Sequence, residues 1–429
     1  MAQTTQTLDP ARRAAAALLS AVTDEGKTLE TALETARSYQ GLEGRDRAFA
    51  RAIASATLRR LGSIDAVLGQ YMARPLGPGA EAARAILRTG AAQILAMAVA
   101  PHAAVSAAVA LANSARSARP FAGMINAVLR KASTEGHSVF AALPAGTDIP
   151  DWLFTRWRAT YGQQTAQAIA LALHQEPPLD LTPKQPEDDW PARLGARVGP
   201  FGSVRLDAGQ DLTSLYGFEQ GAWWVQDAAA TLPAKMLGDV RGKTVLDLCA
   251  APGGKTMQLA AAGAHVVGVD KDDKRLDRLR ANLLRTNLPA ELVHADILDW
   301  APPAPVDAIL LDAPCTATGT LRRHPDAAWL RRPSDIQPLA ALQQALLARC
   351  AGWLKPQGRL VYAVCSLEPE EGEGVAATLN ALQPDPISAH EIGGETQAIT
   401  PAGHIRTHPG LSLETGGMDG FFIARFRAT

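Results

Sequence analysis

The chain has 429 residues, which excludes a single small module and predicts two or three domains. Its 42 Lys and Arg residues against 43 Asp and Glu residues give a formal net charge of -1, which taken alone argues against a nucleic-acid partner. The average hides an asymmetry, because residues 1–145 carry 16 Lys and Arg against 10 Asp and Glu, whereas the remaining residues carry 26 against 33. A basic first part and an acidic second part cancel each other.

The cysteines lie far apart, without a Cys-x-x-Cys pair, and predict neither a metal site nor a disulfide framework. They are Cys249, Cys315, Cys350 and Cys365. We therefore expect reduced thiols in a cytoplasmic protein without a metal. No signal-peptide pattern precedes Asp9-Pro10, which is typical of a helix start. The uncharged residues 89–115 are interrupted by Pro101 and predict two buried helices and no membrane contact.

The first domain is predicted to be all-α. Residues 1–145 are rich in alanine, and their apolar positions recur at helical spacing without strand-like alternation. This pattern predicts a bundle of five to seven helices. A further helix is predicted over residues 151–174, and residues 177–223 contain many Pro and Gly residues with short strand-like runs. We assign residues 146–225 to a small α+β connecting subdomain.

The last domain, residues 226–429, is predicted to be α/β with a Rossmann-like sheet. After Gly242, short apolar strands alternate with helices that begin near Lys255, Asp272 and Ser334. The predicted strands are residues 244–248, 264–269, 291–294, 306–311 and 358–364, with an antiparallel edge strand at 421–426. This alternation predicts a parallel sheet covered by helices on both faces.

The loop after the first strand is predicted to bind a cofactor. Residues 247–255 read Asp-Leu-Cys-Ala-Ala-Pro-Gly-Gly-Lys, and the two glycines let the backbone approach a ligand at the start of a helix. The loop is not a Gly-x-Gly-x-x-Gly fingerprint. It is not a Walker phosphate loop either, because Cys249 stands where that motif needs glycine.

Acidic residues end the successive strands, where a doubly wound sheet binds its ligand. Asp247 lies at the end of the first strand, and Asp270 ends the second, where a carboxylate can accept hydrogen bonds from both ribose hydroxyls. Asp296 is expected at the adenine edge and Asp312 at the reacting end. Four acids in this arrangement predict an adenosine-containing cofactor.

Two thiols follow neighbouring strands, Cys315 after the fourth and Cys365 after the fifth. A thiolate that adds to C6 of a pyrimidine makes C5 nucleophilic enough to accept a methyl group from S-adenosyl-L-methionine. Asp312 could hold the ring N3 and amino group of cytosine, once the base is unstacked. The residues alone leave either thiol as the nucleophile.

Motifs along most of the chain resemble the Sun-type family of RNA cytosine-5 methyltransferases, and most closely its bacterial small-subunit ribosomal RNA branch. They are residues 247–256, 312–326, 362–366, 369–371 and the Gln226-Asp227 pair. Residues 45–47, 101–105 and 126–130 are similar to the NusB-like helical RNA-binding domain of that branch. The sequence departs from the family pattern in two places. Val364 stands where Thr is usual, and residues 181–184 replace an Arg-Val-Asn signature.

The resemblance implies the roles of individual residues. Cys365 is the nucleophile, Cys315 assists breakdown of the adduct, and Lys255 and Arg275 help to frame the cofactor and substrate site. The complete predicted cofactor site comprises Cys249, Ala250, Ala251, Pro252, Gly253, Gly254, Lys255, Asp270, Arg275, Asp296 and Asp312. The implied substrate is a cytosine of small-subunit (16S) ribosomal RNA.

Several partner predictions accompany this assignment. We expect a monomer that binds RNA but neither membrane nor metal, and we expect Arg322, Arg323, Arg331 and Arg332 to supply positive charge beside Cys315 for the target strand. The same chemistry on tRNA is the nearest alternative. A non-catalytic antitermination-type RNA-binding protein would leave both thiols without a use, and a nicotinamide-dependent oxidoreductase lacks its glycine fingerprint.

Overall fold

The computed structural model describes residues 9–186 and 188–429, and the chain separates into two compact units. The first contains the residues up to His174 together with His324–Arg331, and the second contains Gln175–Arg323 and Arg332–Thr429. The prediction of no signal peptide rests partly on residues 1–8, which lie outside the described residues. Across the described part of the chain, no helix combines the length and apolar character needed to cross a membrane.

The first unit, here the helical unit, is built from α-helices. They are α1 (Pro10–Thr23), α2 (Leu29–Thr35), α3 (Arg37–Gln40), α4 (Gly44–Arg59), α5 (Leu61–Tyr71), α6 (Glu81–Leu95), α7 (Pro101–Ser114), α8 (Ala122–Ala142) and α9 (Asp151–His174). In the described residues, eight helices, α1 to α8, precede residue 145, which is more than the five to seven predicted. Two of them, α2 and α3, have only seven and four residues, and such short helices show little periodicity in sequence. The predicted pair of buried helices within residues 89–115 is confirmed by α6 and α7.

The local sequence explains how this unit forms. Asp9 caps α1, because its Oδ1 accepts a hydrogen bond from the backbone N of Arg12 at 3.0 Å, and Pro10 fits the first helical turn. The core is made largely of Ala and Leu side chains, and small residues let neighbouring helices approach closely. The helix α9 changes direction at Gly162, whose φ of 81° is available to glycine at little cost.

The second unit, here the catalytic unit, begins with a small antiparallel sheet. Its strands are β1 (Leu179–Pro183), β2 (Arg197–Val198), β3 (Val204–Leu206) and β4 (Trp223–Val225), in the order β2-β3-β1-β4. The short helix α10 (Trp190–Leu194) lies between β1 and β2 in the chain. Aromatic side chains such as Trp190 and Trp223 form the core beside this sheet.

A larger, mostly parallel sheet follows. Its strands are β5 (Thr244–Leu248), β6 (His265–Asp270), β7 (Glu291–His294), β8 (Val306–Asp312), β9 (Leu354–Val364), β10 (Gln383–Pro384), β11 (Ile405–Arg406) and β12 (Phe422–Arg427). The order is β10-β12-β9-β8-β5-β6-β7, with β11 also paired to β12. The strand β12 is antiparallel to β9 as predicted, but it is not an edge strand, because β10 and β11 pair with it.

The remaining helices complete the chain. They are α11 (Leu232–Lys235), α12 (Gly254–Ala261), α13 (Asp273–Thr286), α14 (Ala327–Leu330), α15 (Ile336–Ala351) and α16 (Glu373–Ala376). The helix α14 belongs to the helical unit, where Trp329 Nε1 donates to the carbonyl of Leu58 at 2.9 Å. Side chains from alternating strand positions form two apolar clusters, which fits the prediction of a sheet buried on both faces.

The division into two units differs in detail from the three predicted domains. The helix α9 groups with the helical unit, and the small antiparallel sheet groups with the large one. The three-part division at residues 145 and 225 stays a prediction. The observed parallel strands agree with the predicted ones to within a few residues at each end.

Candidate active site

A pocket lies in the catalytic unit where β5, β6, β8 and β9 end. Its empty space, with the open mouth included, is about 800 Å³. The lining combines acidic, cationic, thiol and apolar side chains: Cys249, Asp270, Lys271, Arg275, Ala295, Asp296, Ile297, Asp312, Ala313, Pro314, Cys315, Ala317, Leu342, Leu346 and Cys365. The structure therefore brings most of the predicted site residues together.

The loop after β5 has the shape that its glycines predict. Gly253 has a φ of 105°, and a Cβ atom there would come within 2.0 Å of Leu279 Cδ1. Cys249 also has a positive φ of 60° and lines the pocket. Burial raises the pKa of the Cys249 thiol, as does the charge of Asp270. The loop residues Ala250, Ala251, Pro252, Gly253 and Gly254 are not among the pocket-lining residues, so their contacts with a cofactor stay a prediction.

Asp270 and Asp296 lie where the sequence places them. The Asp270 carboxylate is held by the backbone N atoms of Ala251 at 3.1 Å and Asp272 at 3.0 Å. Arg275 NH1 lies 3.6 Å from Asp270 Oδ2, and this guanidinium also donates to the carbonyl of Ala251. Asp296 accepts from the backbone N of Leu298 at 2.9 Å and is exposed. Both carboxylates keep lone pairs for hydroxyl or amino groups of a ligand.

Asp247 has a different place from the other acids. It is fully buried behind the pocket, and its Oδ2 accepts from the Thr256 hydroxyl at 2.5 Å, whereas its Oδ1 has no hydrogen-bond partner. Burial raises the pKa of Asp247 to about 7, and the hydrogen bond from Thr256 offsets this only in part. The sequence marks this residue as acidic but does not show that it is enclosed.

The two predicted reactive thiols meet at the pocket. Cys315 Sγ and Cys365 Sγ are 3.5 Å apart, within reach of an S–H···S hydrogen bond. The hydrogen bond with Cys365 and burial raise the pKa of Cys315 well above its usual range. Cys350 is buried in α15, away from the pocket lining, as an inert thiol should be.

A partly buried ion pair lies beside the thiols. Lys255 Nζ is 2.7 Å from Asp312 Oδ2, and it also lies 5.3 Å from the centre of the Phe421 ring. Burial acts to lower the pKa of Lys255, but the charge of Asp312 and its hydrogen bond outweigh it, so the pKa is raised. The ammonium group therefore stays charged near neutral pH. Lys255 and Asp312 are 57 positions apart, so the sequence alone did not predict that they form an ion pair.

The expectation that Arg322 and Arg323 face the RNA is wrong for Arg322 and weakened for Arg323. Arg322 is 1 % exposed and is paired with Asp227 at 3.0 Å and Asp419 at 2.8 Å. Arg323 is paired with the same two carboxylates at 2.7 and 3.3 Å. These guanidiniums neutralise buried acids, so their charge serves the internal structure of the catalytic unit.

Sequence reasoning also missed part of the pocket wall. Leu342 and Leu346 lie four positions apart on α15 and line the pocket beside Ile297. Their helical spacing was readable, but an apolar helix face more often packs in a core. Within residues 9–186 and 188–429, no group of three or more His, Cys, Asp or Glu side chains could hold a metal ion.

The pocket chemistry fits S-adenosyl-L-methionine. Apolar walls suit an adenine ring, buried and exposed carboxylates suit ribose hydroxyls and an adenine amino group, and the acidic lining suits a ligand that carries a sulfonium charge. The two thiols stand at the same pocket, where a methyl acceptor would meet the methyl donor. The arrangement fits the transfer of a methyl group at this pocket.

Comparisons with known proteins agree with this geometry. The family model described as 16S rRNA methyltransferase RsmB/F matches residues 234–427, and the NusB family model matches residues 9–134. A ribosomal RNA small subunit methyltransferase B of Cronobacter sakazakii is 35% identical, covering 96% of this chain and 97% of its own. The protein of the same name from Xanthomonas campestris pv. campestris is 37% identical, covering 96% of each chain.

Solved structures support the fold. The crystal structure of PH0851 covers 97% of this chain and 98% of its own with a TM-score of 0.73, at 22% identity. A methyltransferase homolog from Pyrococcus horikoshii covers 65% of this chain and 96% of its own with a TM-score of 0.53, at 29% identity. The predicted fold class, the NusB-like domain, the methyltransferase class and its donor S-adenosyl-L-methionine are confirmed. The chain belongs to the 16S rRNA methyltransferase RsmB/F family.

Proposed function

We propose that this protein is an S-adenosyl-L-methionine-dependent RNA cytosine-C5 methyltransferase that modifies small-subunit (16S) ribosomal RNA. The observation that carries the proposal is the 3.5 Å separation of two thiols at one pocket. Relatives that match over 96% of this chain are named ribosomal RNA small subunit methyltransferase B, which supports the choice of RNA.

The cofactor is held by residues at the ends of β6 and β7 and by one side chain of α15. Asp270 accepts from the ribose hydroxyls, Asp296 from the adenine edge, and the apolar side chains of Ile297 and Leu346 enclose the ring. When bound, S-adenosyl-L-methionine supplies an electrophilic methyl group. Arg275 fixes the loop through Ala251 and Asp270 and so shapes this site.

Cys365 activates the base. Its thiolate adds to C6 of the cytosine, so that the S–C6 bond forms, the C5–C6 double bond breaks and the electron pair becomes available at C5. After methylation the C5 proton leaves to a base, the double bond returns and Cys365 Sγ leaves C6.

Cys315 is placed to assist this last step. In the free enzyme its hydrogen bond with Cys365 contributes most to its raised pKa. Once Cys365 Sγ is a thioether in the adduct, it no longer carries a negative charge, and the Cys315 thiol can release its proton to solvent more easily. Cys315 can then act as the base next to C5.

Asp312 selects cytosine. One carboxylate oxygen is held by Lys255, and the other is left to accept from the cytosine amino group. Uracil presents a carbonyl at that position, which a carboxylate repels. Lys255 in turn limits the repulsion between Asp312 and a neighbouring thiolate.

The helical unit supplies the RNA grip. Residues 1–145 carry six more basic than acidic residues, and phosphate contacts need such an excess. We further propose that the protein acts as a cytoplasmic monomer, that residues 146–225 form a connecting subdomain, and that neither a metal nor a membrane takes part.

A direct test uses labelled S-adenosyl-L-methionine and transcripts of 16S ribosomal RNA and tRNA. Each transcript is made once with cytidine and once with every cytidine replaced by uridine. We expect label in the cytidine-containing 16S transcript, recovered as 5-methylcytidine, and none in either uridine-substituted RNA. Label that persists without cytidine would overturn the chemistry, and label in tRNA alone would overturn the substrate.

A further inference from the structure

One buried carboxyl group contacts the residues that directly follow both reactive thiols. Glu371, just beyond β9, is 0% exposed. Thr316 follows Cys315 in the chain and Ser366 follows Cys365, and Glu371 accepts hydrogen bonds from both. The thiol loops are 50 residues apart in sequence, so this carboxylate joins two separate segments.

The four acceptor sites of Glu371 are matched by four donors. Oε1 accepts from the backbone N of Thr316 at 2.9 Å and from Gln343 Nε2 at 3.0 Å. Oε2 accepts from the Ser366 hydroxyl at 2.5 Å and from the Thr316 hydroxyl. A carboxylate has about four lone-pair sites, so removal of this group would strand several buried donors.

The same cluster also holds the other side of Cys315. Gln343 Nε2 donates to the carbonyl of Pro314 at 2.8 Å, and the Tyr362 hydroxyl donates to Gln343 Oε1 at 3.2 Å. The backbone is thus fixed both before and after Cys315. Thr316 Oγ1 and Ser366 Oγ lie 3.1 Å apart, which closes the link between the two loops.

We propose that Glu371 is a positioning residue that holds Cys315 and Cys365 at their working separation. The proposal rests on the proposed function of the two thiols. Glu371 does not line the pocket and acts through Thr316 and Ser366. Because a misplacement of about 1 Å can cost about 100-fold in rate, a fixed separation matters to a reaction that passes from one thiol to the other.

The kinetic test removes the carboxylate and then restores part of it. Glu371→Ala should lower kcat for RNA methylation by at least about 100-fold while KM for RNA and for S-adenosyl-L-methionine changes by less than about threefold. Glu371→Gln should recover activity to within about tenfold of wild type, because the Thr316 and Ser366 hydroxyls can turn to accept from its amide. Glu291→Ala, an exposed glutamate at the start of β7 and the far edge of the sheet, is the matched control.

Two further variants separate the arms of the cluster and serve if Glu371→Ala does not fold. Thr316→Val removes the hydroxyl next to Cys315 and should slow adduct breakdown, so that covalent RNA–protein complex accumulates. Ser366→Ala removes the hydroxyl next to Cys365 and should slow adduct formation, so that less complex appears. Normal adduct levels and normal kcat in both variants would overturn the proposal.

A binding test reports on the thiol separation without any RNA. Phenylarsine oxide forms two S–As bonds with a pair of neighbouring thiols and releases one water, while arsenic keeps its oxidation state. We expect wild type and Glu291→Ala to bind it through Cys315 and Cys365, and Glu371→Ala and Thr316→Val to bind it at least about tenfold more weakly. Unchanged binding would contradict the positioning role, whereas absence of RNA methylation with this pattern intact would contradict only the proposed function.

Discussion

Two buried carboxyl groups, one in each unit, differ in how fully the chain satisfies them. Asp148 of the helical unit accepts from Arg60 Nε at 2.8 Å and from the backbone N and hydroxyl of Ser63, each at 2.7 Å, and His174 Nε2 lies 3.0 Å away. Asp247 of the catalytic unit has one hydrogen bond and an oxygen without a partner.

The pKa values follow these surroundings. Burial raises the pKa of Asp148, but the hydrogen bonds from His174 and Ser63 and the charge of Arg60 outweigh it, so the pKa lies below its usual range. Burial of Asp247 is not offset in this way, and its pKa rises to about 7. A buried carboxylate whose oxygens all accept hydrogen bonds stabilises its unit. A buried carboxyl group with an unpaired oxygen behind a pocket indicates that the pocket is built at some cost in stability.

The largest expected effect is on the satisfied acid. Asp148→Ala should destabilise the helical unit by about 3–5 kcal/mol, because it leaves the Arg60 charge and the Ser63 donors without their partner. Hydrogen exchange of peptides from α5 and α9 measures this locally. An exposed pair of the same unit gives the control: Glu25→Ala, which removes the partner of Lys27, should cost less than about 1 kcal/mol. Equal losses of stability in both variants would show that the hydrogen-bonded Asp148 matters no more than an exposed acid.

In the catalytic unit, loss of a paired charge should affect activity more than folding. Lys255→Met should lower kcat by about 100-fold, because Asp312 and the thiols lose their neighbouring positive charge. Steady-state kinetics and a melting curve separate the two effects. Lys274→Met, an exposed lysine on α13, should leave both unchanged. A Lys255 variant that melts early but keeps its kcat would show that the pair is structural.

The two kinds of acid should also respond to pH with opposite sign. Between about pH 4 and pH 7 the unfolded chain has lost the Asp247 proton while the folded protein keeps it, so this group lowers the free energy of unfolding as pH rises, by at most about 1.4 kcal/mol per pH unit. Asp247→Asn removes that slope. Urea unfolding at several pH values should show that the free energy of unfolding of the variant rises relative to wild type up to about pH 7. Above that pH the difference between the two proteins should stay constant.

The control for this titration lies on β8. Hydrogen bonds from Lys355 and from the backbone N of Thr244 lower the pKa of Asp307. Its stabilising contribution is therefore present above its ordinary pKa and is lost as the solution becomes more acidic. The free energy of unfolding of Asp307→Asn should fall relative to wild type as pH rises from strongly acidic values. If the relative stabilities of Asp247→Asn and Asp307→Asn changed in the same direction with pH, the two acids would not differ as proposed.

The smallest effect concerns ligands. The excess of basic residues in the first part of the chain predicts RNA affinity that falls by at least about tenfold between 50 and 200 mM salt, since phosphate contacts release counterions. Affinity for S-adenosyl-L-methionine, which has no phosphate groups, should change less than about twofold. Titration calorimetry at both salt concentrations tests this, and salt-independent RNA binding would contradict it.

Features that depend on local sequence could be predicted, whereas contacts between residues far apart in sequence could not. Strands β5 to β9 were predictable because their apolar runs and acidic ends are local signals, and the thiols could be placed together because parallel strands share an edge. Arg322 was misjudged because its partners Asp227 and Asp419 lie 95 and 97 residues away. Glu371 lies in a local motif close to Ser366, but its other partner, Thr316, is 55 residues away, so the sequence did not reveal that it joins the two thiol loops.

We propose that the two thiols at the pocket have unequal roles. The most direct measurement incubates Cys315→Ala and Cys365→Ala separately with S-adenosyl-L-methionine and cytidine-containing 16S transcript, and counts covalent RNA–protein complex on a denaturing gel. We expect complex to accumulate with Cys315→Ala, which can form the adduct but not resolve it, and to be absent with Cys365→Ala. Complex with Cys365→Ala and none with Cys315→Ala would reverse the roles proposed for the two thiols.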